Sequence, residues 1–268
     1  MTSILINSPQ NKWIKTAAGL KQKKHRDEMG LFIAEGVRLC EELVDEDWPV
    51  EICLFIQSAE KNPRVKVLLK ALEAKRTTLL EVSSSVLEKV AETEEPQGIV
   101  MIAHQRKPSL DELVSVSTPF LVVLDRVRDP GNAGTIIRTA DAAGCSGVIL
   151  LEGCVDVYSG KTIRATMGSA FHIPIATNIA PSHLLEAIKK YDINLVVSAL
   201  DAAQPYDHSS LAGAAAFVFG NESHGVSNLL VQAAASKIFI PIWGGAESLN
   251  VASAAAVILY EAARQRRV

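Results

Sequence analysis

The sequence predicts an α/β fold in two parts: a C-terminal domain built on a parallel sheet, and a smaller α/β domain before it. Three observations carry this expectation. The second half contains five continuous apolar runs, FLVVLD, GVILLE, INLVVSAL, AAFVFG and KIFIPI, which suit strands buried on both faces. Helical stretches separate these runs, and strands alternating with helices imply crossover connections and a parallel sheet. A segment with two prolines and four Ser/Thr, HQRKPSLDELVSVSTP, divides this half from the first. The expected boundaries are a small domain over 1–105, a linker over 106–118 and a larger domain over 119–268.

Taken in order, the chain begins with a basic stretch. Lys12, Lys15, Lys21, Lys23, Lys24 and Arg26 precede the first acid, a pattern that suits a solvated helix face and is compatible with phosphate contacts. In the first half MGLFIAEGVRLCEELVDE and PRVKVLLKALEAKR read as helices, the latter because Val65, Leu68, Leu69 and Leu72 recur at helical spacing. EICLFIQ, TTLLEVS and GIVMIA read as strands between them. After the linker the helical stretches are TIIRTADAAG, SHLLEAIKKYD, SNLLVQAAA and the final SLNVASAAAVILYEAARQRR. The small residues of the last suit close packing against another helix or a second subunit. No internal repeat or low-complexity tract is present.

Composition narrows the classes. At 268 residues, 48% hydrophobic and 21% charged, the chain can bury a full core without a disulfide or metal staple. Cys40, Cys53, Cys145 and Cys154 form no Cys-x-x-Cys pair, so neither a zinc site nor a disulfide framework is expected, and a reducing cytosol suits them. No apolar run reaches the ~18 residues of a membrane span, and MTSILINSPQNK lacks a signal-peptide apolar core. The expectation is a cytoplasmic protein with no membrane and no metal. The net charge of −3 argues against a uniformly basic nucleic-acid binder, but its distribution matters more than its sum. The patterns G-x-G-x-x-G and G-x-x-x-x-G-K-[ST] are both absent, which sets aside ordinary NAD chemistry and nucleotide hydrolysis.

Parallel sheets place ligands at the carboxyl ends of their strands, so the residues after each run are the candidates. After FLVVLD comes Asp129-Pro130-Gly131-Asn132-Ala133-Gly134, a turn feeding a helix; Asn132 either caps that helix or helps present its N-terminus to an anion. Arg138 follows in the second turn, either on the surface or projecting into the cleft. After AAFVFG comes Gly220-Asn221-Glu222-Ser223-His224-Gly225, where Glu222 is either an exposed turn residue or a charged acceptor facing a ligand. His224 has no His or Cys at metal-ligand spacing and reads as a bystander. After KIFIPI comes Trp243 to Asn250, with Ser248 or Asn250 as the expected cap of the last helix.

These three loops, in this order, resemble the three motifs of the SpoU/TrmH family of RNA 2′-O-ribose methyltransferases, of the SPOUT class. The matching residues are Asn132, Gly134 and Arg138; Gly220, Asn221, Glu222 and Gly225; and Ile240 to Ile242 with Ser248 to Asn250. The resemblance runs from Phe120 to Val268, with Ala252 a minor departure where members often carry Ser. The first half is similar, through LFIAEGVRLCEEL, to the small α/β substrate-binding domain that often precedes the catalytic one.

The resemblance implies a SPOUT domain with a deep trefoil knot and S-adenosylmethionine (AdoMet) as cofactor, held by the backbones at Gly220, Ile240 and Leu249. It also implies a homodimer, and RNA as partner, ribosomal RNA ahead of transfer RNA. Arg138 is implied as the catalytic residue; we expect Asn132 and Glu222 to orient it and Ser248 and Asn250 to shape the third wall of the site. A guanidinium holds its proton, so the expected role is stabilisation of the 2′-oxyanion or clamping of a phosphate. Two other classes remain open: an RNA-binding protein of this fold without catalysis, and a small-molecule α/β enzyme. Retention of Asn132, Arg138, Glu222 and Asn250 together speaks against the former, and the basic start and front domain against the latter.

Overall fold

Two sheets organise the chain in the computed structural model, which describes residues 5–199, 202 and 204–267. Backbone contacts divide it into two units. The first runs to Gln105 and takes in Tyr158–Phe171; the second comprises Arg106–Val157 and the chain from His172 onward.

The first unit opens with α1 (Lys12–Gly19) and α2 (Lys23–Met29). Next come β1 (Leu31–Glu35), α3 (Val37–Asp45), β2 (Val50–Phe55) and α4 (Pro63–Ala74). β3 (Thr78–Glu81), α5 (Ser84–Val90) and β4 (Ile99–His104) complete the N-terminal portion. The sheet order is β1-β4-β2-β3, with β4 antiparallel to both neighbours and β2 parallel to β3. α4 forms where its periodicity predicts. Pro63 occupies its first turn, the Asn62 side chain accepts the Arg64 N–H, and Val65, Leu68, Leu69 and Leu72 are buried. The stretch MGLFIAEGVRLCEELVDE, expected as one helix, is instead strand then helix. Gly36 adopts φ +97°, ending β1 and opening α3, and the five residues before it are buried as a strand paired with β4.

Part of the basic start is engaged locally. The Lys21 ammonium donates to the Ala91 carbonyl at 2.6 Å, while Lys23 meets Asp27 at 2.6 Å and Lys24 meets Glu28 at 3.9 Å along α2. These observations favour the solvated-face alternative.

The second unit contains α6 (Leu110–Val114), β5 (Phe120–Asp125), α7 (Pro130–Ala143) and β6 (Gly147–Leu151). The chain then contributes α8 (Gly160–Thr166) to the first unit. It returns with β7 (Ile175–Ile179), α9 (Pro181–Lys190), β8 (Asn194–Ser198), the short β9 (Gln204–Pro205) and β10 (Ala215–Gly220). α10 (Asn228–Ala233), β11 (Ser236–Phe239) and α11 (Val251–Arg266) end the unit. Residues 110–114, in the stretch between the halves, are ordered as a helix by a Ser109–Glu112 capping box, with Leu110, Leu113 and Val114 buried.

The sheet runs β7-β6-β5-β10-β8-β11-β9 and every pairing in it is parallel. The chain builds outward from β5 through β6 to β7, then crosses to the other side for β8. The strand order therefore reverses beside β5, and in open α/β sheets such a switch point opens a crevice at the carboxyl ends of the strands. β5 and β10 are buried throughout, as their continuous apolar runs require. α11 packs along α7, burying Ala252, Ala255, Ile258, Leu259, Ala262 and Ala263, so its small residues already serve a helix–helix contact within the chain.

Candidate active site

Three loops converge at the carboxyl end of the second unit's sheet. The first follows β5. Asp129, not Asn132, caps α7: its carboxylate accepts the Asn132 N–H at 2.8 Å, with Pro130 in the first turn. The helix thus begins at Pro130, which places Arg138 in its third turn and leaves the Asn132 side chain free for other work.

The second loop follows β10. Asn221 and Gly225 exchange backbone hydrogen bonds of 3.1 and 2.9 Å, closing a tight turn with Gly225 at φ +62°. A Cβ on Gly220 would stand 2.3 Å from both the Gly225 carbonyl carbon and the Val226 nitrogen. The turn's own backbone is therefore the physical reason that residue 220 carries no side chain. Asn221 is the hub of the loop. Its Oδ1 accepts the N–H groups of Ser223 and His224, at 3.0 and 3.1 Å, and its Nδ2 donates to the Arg126 carbonyl at 3.0 Å.

The third loop joins β11 to α11. β11 ends at Phe239, so Ile240 to Ile242 of the apolar run lie beyond the strand. Asn250 is the cap of α11, its Oδ1 accepting the Ala252 N–H at 2.9 Å. Ser248 and Leu249 are exposed, and Trp243 is 94% exposed.

One chain of hydrogen bonds ties these loops together. Asn132 Nδ2 donates to Glu222 Oε1 at 2.9 Å, and Asn250 Nδ2 donates to Asn132 Oδ1 at 3.0 Å. Asn221 Nδ2 reaches Glu222 Oε2 at 3.4 Å. Residues 90 and 118 positions from Asn132 thus meet it directly. Each amide uses one end for the next loop, so the orientation of Asn132 follows from its partners: an acceptor on one side and a donor on the other. The Arg138 side chain is exposed and makes no hydrogen bond or ion pair among the described residues, so Asn132 and Glu222 hold each other and not Arg138 as expected; the Ser248 side chain makes none either.

Comparison with known proteins identifies the family. The profile of the SpoU rRNA methylase family matches residues 119–260. The chain belongs to this family. A profile of the MRM3-like substrate binding domain matches residues 11–101. Among SpoU relatives, the 23S rRNA (guanosine(2553)-2′-O)-methyltransferase RlmP of Bacillus subtilis is 35% identical, covering 95% of this chain and 97% of its own. An AdoMet-bound rRNA methyltransferase from Sinorhizobium meliloti superposes with a TM-score of 0.88 at 35% identity, over 98% of both chains. The SpoU methyltransferase AviRb of Streptomyces viridochromogenes, solved with AdoMet, gives 0.88 at 29% identity over 96% of this chain and 98% of its own. The expected family and α/β fold are borne out, and so is AdoMet as cofactor.

The residues fit that cofactor. From Pro241 to Leu249 no backbone–backbone hydrogen bond forms among the described residues, leaving exposed N–H and C=O groups for a ligand. The Ser227 hydroxyl is buried without a partner at the end of the second loop. Among the described residues no group of three or more His, Cys, Asp or Glu is placed to hold a metal ion. No helix among them is long and apolar enough to cross a membrane.

Residue-by-residue reading of the sequence passed over two participants. Asn221 lay inside a quoted motif but had no role. Asp125 was detectable as the single charge closing an otherwise apolar, buried strand.

Proposed function

We infer that this protein transfers a methyl group from AdoMet to a ribose 2′-hydroxyl of RNA, and that the RNA is ribosomal. The observation that carries the reading is the Glu222–Asn132–Asn250 bridge across three loops at the switch point of a SpoU-family sheet. Relatives that are 23S rRNA 2′-O-methyltransferases by name support ribosomal RNA.

Backbone groups at Gly220, Ile240 and Leu249 hold AdoMet in this reading, and the knot implied by the family brings those loops together. AdoMet, when bound, supplies an electrophilic methyl group. The remaining work falls to the chain. A ribose hydroxyl is a weak nucleophile, so the site must orient it and stabilise the charge that grows on its oxygen. Arg138, a free cation on the helix that carries Asn132, stabilises that oxyanion or clamps the neighbouring phosphate. The proton leaves to phosphate or water, because a guanidinium cannot accept it. Asn132, Glu222 and Asn250 fix the walls, with Ser248 beside them. The N-terminal unit engages the RNA, supported by its substrate-binding profile. A homodimer completes the site, and the partly exposed face of α11 with Val257 and Tyr260 is available for it. The compartment is the cytoplasm, which suits four free cysteines.

The test is transfer of tritiated methyl from AdoMet to total ribosomal and transfer RNA, followed by alkaline hydrolysis. Alkali-resistant 2′-O-methylated dinucleotides from ribosomal RNA are expected. A methylated base, or label in transfer RNA alone, would overturn the assignment.

A further inference from the structure

Among the described residues of the second unit, one buried charge has no part in the bridge above. Asp125 ends β5 and is 2% exposed, although the five residues before it complete the strand's apolar packing. A buried carboxylate is tolerated only when donors surround it, and here they come from two loops. Asp125 Oδ2 accepts the Ser227 N–H at 2.6 Å. Arg126 Nε donates to Oδ1 at 3.1 Å and a second guanidinium nitrogen reaches Oδ2 at 3.4 Å.

These contacts clamp the second loop at both ends. Parallel register sets Asp125 opposite Gly220, where the loop begins. One residue on, the Arg126 carbonyl takes the Asn221 amide at 3.0 Å. Asp125 itself then takes the loop's last N–H before α10. Between those grips lies Glu222, the partner of Asn132. Arg126 holds φ +57°, a left-handed conformation that L residues adopt at a cost and that the surrounding structure must enforce. Its guanidinium folded onto Asp125 is part of that enforcement.

We propose that Asp125 is a positioning residue for methyl transfer: its carboxylate anchors the Asn221–Ser227 loop so that Glu222 meets Asn132. It acts through Ser227 and Arg126 and does not touch the reacting atoms. The inference rests on the methyl-transfer reading given above.

Two variants weaken the same anchor from opposite sides, one by removing the charge and an acceptor oxygen, the other by removing the N–H that the carboxylate holds. Asp125→Asn keeps the size, but its amide can accept from only one of the two donors. Ser227→Pro removes the N–H while matching the residue's φ of −64°, and keeps the carbonyl that accepts from Leu230 and Val231. At saturating AdoMet, each should lower kcat about tenfold or more with KM for RNA little changed, and the double variant should be no worse than the worse single. In the full-length protein, the Ser227 amide proton should resonate downfield and move upfield in Asp125→Asn, a signature that general loss of stability does not produce. Full kcat in Asp125→Asn, or a double-variant loss equal to the product of the singles, would overturn the proposal. So would an unmoved Ser227 resonance. If Asp125→Asn does not fold, Ser227→Pro decides alone, by its kcat. A wild-type protein without methyl transfer would instead sink the functional reading, and the Ser227 resonance would still judge the anchor.

Discussion

At the scale of single residues, the division of labour in the first loop is set by who caps the helix. Asp129 takes that role, which releases the Asn132 side chain to face Glu222 and Asn250. Arg138 lies six residues further along α7, a rise of ~9 Å and a rotation of ~240° from Asn132. Its guanidinium is exposed and unpaired among the described residues, which leaves it available for the role proposed above. Arg138→Ala should lower kcat by ~10²–10³, the usual loss for one oxyanion-stabilising group, while the Kd for AdoMet by calorimetry stays within about twofold. Arg138→Lys separates two mechanisms. Lys keeps the charge but loses the planar fork, so near-wild-type kcat would show that charge suffices and loss equal to Ala would show bidentate geometry. Full activity in Arg138→Ala would remove the residue from the mechanism. The candidate residues were legible because they cluster in small-residue loops after apolar runs. Their pairing was not, since a contact spanning 118 positions leaves no trace in local spacing.

At the scale of elements, continuous apolar runs located β5, β6, β8 and β10 to within a residue or two, because strands buried on both faces need such runs. β1 was hidden inside an apparent helix: LFIAE, Gly36 and VRLCEEL together sustain an apolar pattern, and only the positive φ at Gly36 separates strand from helix. β7 was passed over because only its first two residues are buried, so its apolar signal is short. Gly220 shows how a correct position can carry a different reason. Gly220→Ala should fold the sheet but disorder the Asn221–Gly225 turn, because the added Cβ meets backbone that cannot yield at 2.3 Å. AdoMet affinity measured by calorimetry should fall together with a lowered Tm; a fall in affinity at unchanged Tm would instead return Gly220 to direct ligand contact. The lysines of α2 give the opposite lesson. With Asp27 and Glu28 alongside and Lys21 engaged by Ala91, little net charge is offered to phosphate. Replacing Lys21, Lys23 and Lys24 by Ala should change the slope of log Kd for RNA against log salt by less than the ~0.7–0.9 of one neutralised phosphate. A larger change would restore the helix as an RNA contact.

At the scale of the whole molecule, chain order and folding unit part company. Residues 158–171 lie in the middle of the methyltransferase sequence yet belong to the first unit. Tyr158 and Phe171 place their rings 4.9 and 6.0 Å from Phe32, and Phe171 lies 5.1 Å from Trp48. Arg164 reaches Glu92 at 3.3 Å, and the buried Glu35 accepts the Glu92 N–H at 2.7 Å. None of this was legible, because the Pro- and Ser-rich stretch at 104–119 marks where the chain first leaves the unit and nothing in the composition marks where it returns. The arrangement has an energetic consequence that can be measured. Phe171 is buried, so Phe171→Ala should cost about 3–5 kcal/mol through lost burial and the cavity left behind. That loss should fall on the first unit although the substitution lies within residues 119–268. Trp48 is the reporter, since its ring packs on Phe171 and it belongs to the first unit alone. Urea unfolding followed by Trp48 fluorescence, in a background with Trp13 and Trp243 changed to Phe, should shift to lower urea in Phe171→Ala. AdoMet binding, which we propose the second unit's loops perform, should survive at urea concentrations where the Trp48 signal has gone. Coincident loss of both signals would show that the two crossings, after Val157 and after Phe171, couple the units into a single cooperative transition.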